Sequence, residues 1–400
     1  MEELRRKLLS AALGDLAVST GLPEGYVPCE YIESFSNNLI DTGVSGGNSA
    51  AYEIKFNNYR QISNQATYFG TSYPRSAIPS LCSSNVGYNQ IKFSSYDDEG
   101  YILSQEIVED DYVVHTISVK DSGYKNTSIS VDGNYVQLID SLYACLNNRG
   151  WGDSNWHIFG AGSSGGYSRM RIYYLKMWTD DILVRDFIPC LNPEGVFGLY
   201  DKVEGDFKTT ITGYQLYGKI CTPKGYEVID CLYNSGGARL DTGEFLNGEP
   251  FKLYCSWIPQ DESAAVVGCI DNGFAKMVLT NGSLTTVASI MGSMTTEVPQ
   301  SGVRDVILTE KNMYTWDRSM SYSAIMDFQS SMNLSPSWGS SAVADLVPIS
   351  LLGNCFICKN GTLVKCFVPC RKNGICGMYD WVTNQFYTSS TDIEFEEGII

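Results

Sequence analysis

Histidine is nearly absent: His115 and His157 are the only two in 400 residues. His115 opens an alternating run and His157 sits in SNWHIFG, and no serine or cysteine motif around either suggests a nucleophilic triad. No glycine-rich phosphate loop or dinucleotide fingerprint occurs. No run approaches the ~18 apolar residues of a membrane-spanning helix. Basic residues are few. Against 45 Asp and Glu there are 28 Lys and Arg, for a formal charge of −17. Nucleic acid and anionic membrane surfaces both need a basic face, so neither is expected as a partner, and the acidity reads as solubility. The opening MEELRRKLLSAALGDLAVST has the outline of a secretory leader, but three features make one unexpected. Glu2 and Glu3 lie in the charged region, Asp15 interrupts the apolar part, and no small-residue cleavage site follows.

What is present is repetition. LPEGYVPCEYIESFSNNLIDTG (22–43) and TPKGYEVIDCLYNSGGARLDTG (222–243) share their spacing. Pro23, Gly25, Tyr26, Asp41, Thr42 and Gly43 recur as Pro223, Gly225, Tyr226, Asp241, Thr242 and Gly243. LVRDFIPCLNPEGVFGLYD (183–201) likewise matches LVKCFVPCRKNGICGMYD (363–380). Each copy opens with one motif and closes with the other, so the period is a whole domain and not the ~20–50 residues of a solenoid. The expected organisation is a helix segment (1–21), a first domain (22–212), a linker or shared strand (213–221) and a second domain (222–400).

Tyrosine, phenylalanine and β-branched residues in short runs between Gly, Asn, Asp and Ser clusters predict all-β domains. HTISVKD (115–121) alternates, and SISVDGNYVQL (128–138) is a hairpin turning at Asp132-Gly133. IYYLKMW (172–178) should pair with LVRDFIP (183–189) across TDDI. In the second copy NCFICK pairs with TLVKCFVP across Asn360-Gly361. Pro189 and Pro369 are expected to end their strands.

The single clear helix spans 3–19, where Leu4, Leu8, Leu9, Ala12, Leu13 and Leu16 form a stripe. It packs on its own domain or serves as an anchor or oligomerisation element. Thirteen cysteines is an odd number. Most lie in apolar runs, the setting of reduced thiols in a protein made in a reducing cytoplasm. Cys355, Cys358, Cys366, Cys370 and Cys376 follow a hairpin and not a zinc-knuckle spacing. For Asp41 the expectation is a side chain capping its own turn, since no acidic cluster supplies the six or more oxygens of a calcium site. No cofactor or metal is expected.

The opening LP-x-GY…EYI-x-S…IDTG, with the closing IYY-x-K-x-W, LVRDFIPC, GLYD and a final phenylalanine, resembles a domain common in tailed phages and prophages of gut bacteria. That domain belongs to the concanavalin A-like, laminin-G-like jelly rolls. The resemblance covers nearly all of 22–212 and, more weakly, 222–395, where EYIES becomes DCLYN and RDF becomes KCF. It implies two tandem jelly-roll sandwiches. Gly25, Gly43 and Gly198 would serve turns, and Tyr26, Phe187 and Tyr200 the core. The paired carboxylates of glycosidases on this fold have no counterpart in EIVEDD (106–111), YDDEG (96–100) or EFEEG (394–398), so no enzyme is expected.

The resemblance implies a virion structural or decoration protein, head- or tail-fibre-like, on the virion surface. The helix would contact other virion proteins or form a homo-oligomer, with a trimer favoured. The jelly rolls would adhere to host-surface or mucus glycans through the loops NNRGWGDSNW (147–156) and SPSWGSS (335–341). Trp151, Asp153, Asn155 and Trp338 are the candidate ligand residues. A secreted or surface carbohydrate-binding adhesin of the bacterium, a degenerate glycoside hydrolase, and a ligand-free spacer or capsid-contact module are the alternatives.

Overall fold

The chain is described from a computed structural model. It describes residues 21–34, 37–45, 50–60, 67–73, 76–83, 90–96, 102–109, 113–120, 128–137, 155–160, 167–234, 238, 240–242, 250–259, 265–269, 275–280, 283–288, 292–297, 304–309, 312–315, 318–321, 336–338, 350–390 and 392–398. The expected helix over 3–19 lies outside them. Among the described residues every extended element is a strand, as the aromatic and β-branched runs predict. The chain divides into two compact units, one of Gly21–Asn192 with Val196–Lys219, the other taking in Pro193–Gly195 and Ile220–Ile400.

The strands begin with β1 (Val27–Glu33), β2 (Ile40–Ser45), β3 (Ala50–Arg60), β4 (Thr67–Tyr73), β5 (Ser76–Ser83), β6 (Gln90–Tyr96), β7 (Ile102–Glu109) and β8 (His115–Lys120). They continue with β9 (Ser128–Val131), β10 (Asn134–Val136), β11 (Asn155–Ile158), β12 (Arg169–Thr179), β13 (Ile182–Leu191), β14 (Phe197–Asp201), β15 (Asp206–Lys208) and β16 (Tyr217–Ile220). A ten-stranded sheet runs β10-β9-β8-β3-β12-β1-β13-β14-β15, with β16 on β1, and a six-stranded sheet runs β2-β11-β4-β5-β6-β7. Tyr52, Ile54 and Phe56 of β3 alternate inward and meet rings of the other sheet. Tyr52 lies 4.9 Å from Phe69 and 5.4 Å from Trp156, Phe69 stacks on Trp156 at 4.6 Å, and Phe56 meets Tyr68 at 5.5 Å. These buried rings make the two sheets of the first unit a sandwich.

The second unit continues with β17 (Glu227–Val228), β18 (Cys231–Asn234), β19 (Leu240–Asp241), β20 (Phe251–Pro259), β21 (Ala265–Cys269), β22 (Ala275–Thr280), β23 (Ser283–Ala288), β24 (Gly292–Glu297) and β25 (Arg304–Thr309). It ends with β26 (Asn312–Thr315), β27 (Arg318–Ser321), β28 (Pro336–Trp338), β29 (Ser350–Lys359), β30 (Thr362–Lys372), β31 (Ile375–Asp380), β32 (Gln385–Tyr387) and β33 (Glu396–Gly398). It too has two sheets. One runs β27-β26-β25-β20-β29-β30-β31-β32, with β17 on β30 and β18 on both β29 and β33. The other runs β19-β28-β21-β22-β23-β24.

The two motif pairs build one device in each unit. The hairpin β12–β13 is paired from Thr179↔Ile182 to Leu175↔Phe187, then forks. β1 enters the fork, pairing Ile32↔Ile172 on one side and Pro28↔Cys190 on the other. The hairpin β29–β30 forks after Cys355↔Phe367, and the opening segment enters through Val228↔Cys370 and Leu232↔Leu352. Pro189 and Pro369 do not end their strands, which continue to Leu191 and Lys372. Each proline sits between the last rung to the hairpin partner and the first rung to the opening segment, a gap where a missing N–H costs little. Residues 213–221 contain β16, which pairs with β1.

The hairpin turns follow their residues. Asp132-Gly133, Asp180-Asp181 and Asn360-Gly361 have positive φ at both positions, the type I′ condition. Asp and Asn tolerate it better than other side chains, so Asp180-Asp181 forms the same turn as Asn360-Gly361.

Candidate functional site

The recurring residues converge on one buried contact. Asp201 ends β14 and is fully buried. Its Oδ1 accepts the N–H groups of Asp186 and Val203, each at 3.0 Å, and its Oδ2 faces Arg185 Nε at 3.4 Å. Arg185 donates from Nε to the Thr42 carbonyl at 3.0 Å, from Nη2 to the Gly43 carbonyl at 3.4 Å, and from Nη1 to Val184 O at 2.7 Å and to the Glu204 carboxylate. The guanidinium therefore ties the opening Asp-Thr-Gly to the closing Gly-Leu-Tyr-Asp.

The second unit repeats the construction with a different cation. Asp380 Oδ1 accepts the N–H groups of Cys366 at 2.9 Å and Val382 at 3.0 Å, and Lys365 Nζ lies 3.3 Å from Asp380 Oδ2. Thr383 donates to Asp380 Oδ2 at 2.6 Å, and Lys365 donates to the Tyr387 hydroxyl at 2.8 Å. Burial pulls the Lys365 pKa down. The bond to Tyr387 and the Asp380 charge outweigh burial and hold it above the ordinary lysine value. Sequence reading placed no role on the Arg185–Asp201 pair. The available signal was a basic residue kept at the third position of the recurring Leu-Val-x-x-Phe run while the next residue changed from Asp186 to Cys366.

Tyr26 packs on Tyr200 at 5.4 Å and Phe207 at 5.9 Å, as Tyr226 does on Tyr379 at 4.9 Å and Phe386 at 5.5 Å. Gly198 is not in a turn. It lies within β14, where a Cβ would strike the Lys208 carbonyl and the Phe207 ring, and Gly377 meets Tyr387 O and Phe386 in the same way. The glycine exists so that the closing phenylalanine can lie across the strand.

Of the candidate ligand residues, Trp151 and Asp153 lie outside the described residues. Trp338 lies in β28 with its backbone paired to Leu240 and Val267. Asn155 opens β11 and donates from Nδ2 to Asp41 Oδ2 at 3.1 Å. Asp41 Oδ1 accepts the Gly43 N–H at 2.8 Å, the turn cap expected of it. The adjacent Thr42 hydroxyl donates to the Trp156 carbonyl at 2.8 Å. His157, in register with Asp41, is 8% exposed. Burial lowers its pKa below the ordinary imidazole value, against the pull of the Asp41 carboxylate, so the ring is neutral at pH 7. Its Nδ1 is buried without a hydrogen bond.

Asp201, Glu204 and Asp206 bring carboxylate oxygens within 4.8 Å of one another. The cation among them is already supplied, because Arg185 pairs with the first two and Lys208 Nζ lies 2.7 Å from Asp206 Oδ2. Cys29, Cys190, Cys221, Cys231, Cys355, Cys358, Cys366, Cys370 and Cys376 are free, and of these all but Cys221 are buried. Burial pushes Cys370 and Cys231 up to about 12 and Cys358 up to about 11, values that suppress thiolate chemistry. No helix among the described residues is long and apolar enough to cross a membrane.

No family model and no curated protein matches the chain. Among solved structures it is similar to domains LG4-5 of the mouse laminin alpha1 chain, with TM-score 0.31 and 9% identity over 86% of this chain and 92% of that one. It is also similar to the LG1-3 region of the laminin alpha2 chain, with TM-score 0.30 and 12% identity over 92% and 65%. The binding domain of Paraclostridial Mosquitocidal Protein 1 gives TM-score 0.28 and 8% identity over 93% and 86%.

Proposed function

We propose that the chain is an adhesive virion-surface protein of a tailed phage, a head- or tail-fibre-like decoration built from two tandem jelly-roll units that carry glycan-binding surfaces. The motif resemblance supplies the setting. The observation that carries the binding role is the division of labour within the repeat. What recurs between the copies, Asp41 in its turn, Thr42, the Arg185–Asp201 and Lys365–Asp380 pairs and the tyrosine–phenylalanine clusters, is committed to holding the fold. Where the frame recurs, residues on it change, as Lys176 and Asp186 do to Phe356 and Cys366 on the same hairpin face, and a scaffold that displays binding surfaces keeps its frame while such positions vary. No catalytic role is assigned to any residue. In this reading Leu4, Leu8, Leu9, Leu13 and Leu16 anchor the protein to other virion proteins or join it into a homo-oligomer.

Purified virions imaged by electron cryomicroscopy, with the full chain and with residues 1–20 deleted, test it. Density for two sandwiches on the capsid or tail, lost with the deletion, is the expected result. Virions that lack the protein sink the proposal.

A further inference from the structure

The outer face of the first unit's ten-stranded sheet carries an aromatic and basic cluster that the fold leaves unused. Tyr52, Ile54 and Phe56 point into the core, so Ala51, Glu53 and Lys55 of β3 lie on the opposite face. Across the register Ala51 meets Trp178, Glu53 meets Lys176 and Lys55 meets Tyr174. Residues in register share a face of the sheet, and all six are half-buried.

Most charges on this face are matched. Glu53 accepts the Tyr174 hydroxyl on Oε1 at 2.9 Å and the Ser118 hydroxyl on Oε2 at 3.2 Å. Asp186 holds Lys202 at 2.7 Å, and the exposed Lys120 and Asp181 lie 3.7 Å apart at the hairpin end. Lys55 and Lys176 are different. Among the described residues neither ammonium has a carboxylate within ion-pair distance. Lys55 stands 5.7 Å over the Tyr173 ring and Lys176 5.8 Å over the Tyr174 ring, contacts that hold both ammonium groups at the face. Trp178 lies two residues beyond Lys176 on the same strand, about 7 Å away, and no ring stacks on it among the described residues.

The repeat supplies an internal control. Where Lys176 pairs with Asp186 and Trp178 with Leu183, the second unit pairs Phe356 with Cys366 and Cys358 with Leu363. Tyr254 and Lys252 replace Glu53 and Ala51. That face is occupied by chain, because the Leu363 N–H donates to the Pro193 carbonyl at 2.7 Å and Cys358 Sγ to the Glu194 carbonyl at 3.7 Å. The same place in the fold is apolar and covered in the second unit, and cationic, aromatic and in contact with solvent in the first.

We infer that the face around Lys55, Lys176 and Trp178 binds an acidic sugar, its carboxylate paired by the two ammonium groups and its ring stacked on the indole. The inference rests on the adhesive reading above and names its site. Charge selects the ligand class. A neutral glycan would leave both lysines unpaired, whereas a carboxylate completes them with charge-assisted hydrogen bonds. The chain's overall charge of −17 repels long polyanions such as nucleic acid, which leaves a short acidic oligosaccharide. Sialic acid and a uronic acid present the same carboxylate, and the test separates these two sources.

The full chain is probed on a printed array of sialylated, uronate-containing and neutral oligosaccharides. Affinity is then measured for the strongest acidic hit and for its methyl ester. The acid should bind about tenfold more tightly than the ester, with a preference that added salt weakens. Lys55→Gln with Lys176→Gln should erase that preference at an unchanged melting temperature. Lys224→Gln, at an exposed position of the second unit, should keep it. Trp178→Ala should weaken acid and ester alike, because stacking does not depend on the ligand's charge. An acid preference that survives the double lysine variant overturns the site while the adhesive reading stands, as does a wild-type chain that binds neutral glycans only. A wild-type chain that binds no glycan removes the adhesive reading and the site together.

Discussion

The first unit ties its two sheets together through Arg185, whereas the second places Lys365 at the same hairpin position with partners on its own sheet, and the difference shows how one architecture absorbs a change of cation. Arg185 reaches the Thr42 and Gly43 carbonyls, Asp201 and Glu204 at once. Lys365 has one ammonium. Where the first unit has Glu204, the second has Thr383, whose hydroxyl bonds Asp380, and Tyr387 receives the lysine. A planar fork can organise two strands, whereas a point charge needs hydroxyls to complete the set.

A second contrast lies one strand position away. Lys176 faces Asp186 across β12–β13, and the same register of β29–β30 pairs Phe356 with Cys366. Lys176 is half-buried, while Phe356 and Cys366 are fully buried. Phe356 stacks on Tyr254 at 5.0 Å. Pro193–Gly195 covers this apolar face. Gly195 (φ +66) leaves no room for a Cβ beside Cys358 and Phe356, and its carbonyl accepts from Lys252, whose ammonium sits 5.5 Å over the Phe356 ring. Burial lowers the Lys252 pKa.

The largest expected effect tests whether the two buried ion pairs are equivalent. Asp201→Ala and Asp380→Ala each strand a buried cation and two backbone N–H groups, and each should cost about 3–5 kcal/mol. Urea unfolding of the two variants measures this. A loss under ~1 kcal/mol for either would show that its pair does not hold the fold.

Gly195→Ala comes next. It meets both a positive φ and a filled space, and should destabilise by about 1–3 kcal/mol. Lys176→Ala, on the polar counterpart face, should stay within ~0.5 kcal/mol. Similar melting temperatures for the two variants would erase the contrast between the faces.

The smallest effect separates His157 from Ser337, its register equivalent. The folded pKa of His157 lies below the ordinary 6.5. Below pH 6.5 the unfolded chain therefore binds the proton that the folded chain refuses. Stability from this residue is whole above pH 6.5 and falls as pH drops toward the folded value, by at most about 1.4 kcal/mol per pH unit. His157→Gln should flatten that slope in urea titrations between pH 5 and 7.5. An unchanged slope would assign the acid sensitivity to other groups.

Much of the frame was legible because the chain states it twice. The hairpins, the Asp41 turn cap and the aromatic cores follow from local pattern. Pro189 and Gly198 were misread because their roles depend on neighbours distant in sequence. A proline is tolerated where a strand changes partners, and a glycine is needed where Phe207 crosses. The Arg185 clamp was hidden for the same reason, since its acceptors are carbonyls of residues 42 and 43. Asn155 is placed against Asp41, whereas the Trp151 and Trp338 side chains and Asp153 fall outside what is described.

The forked hairpin also dictates an order of events at the ribosome. β1 precedes the other strands of its unit, yet its rungs wait for Ile172, Cys190 and finally β16. At ~5–20 residues per second, the nascent opening strand spends of order ten seconds with both edges bare. The first unit therefore cannot complete its sheet until Tyr217–Ile220 has emerged, and a chaperone that shields extended, aromatic segments has its natural client in Val27–Glu33.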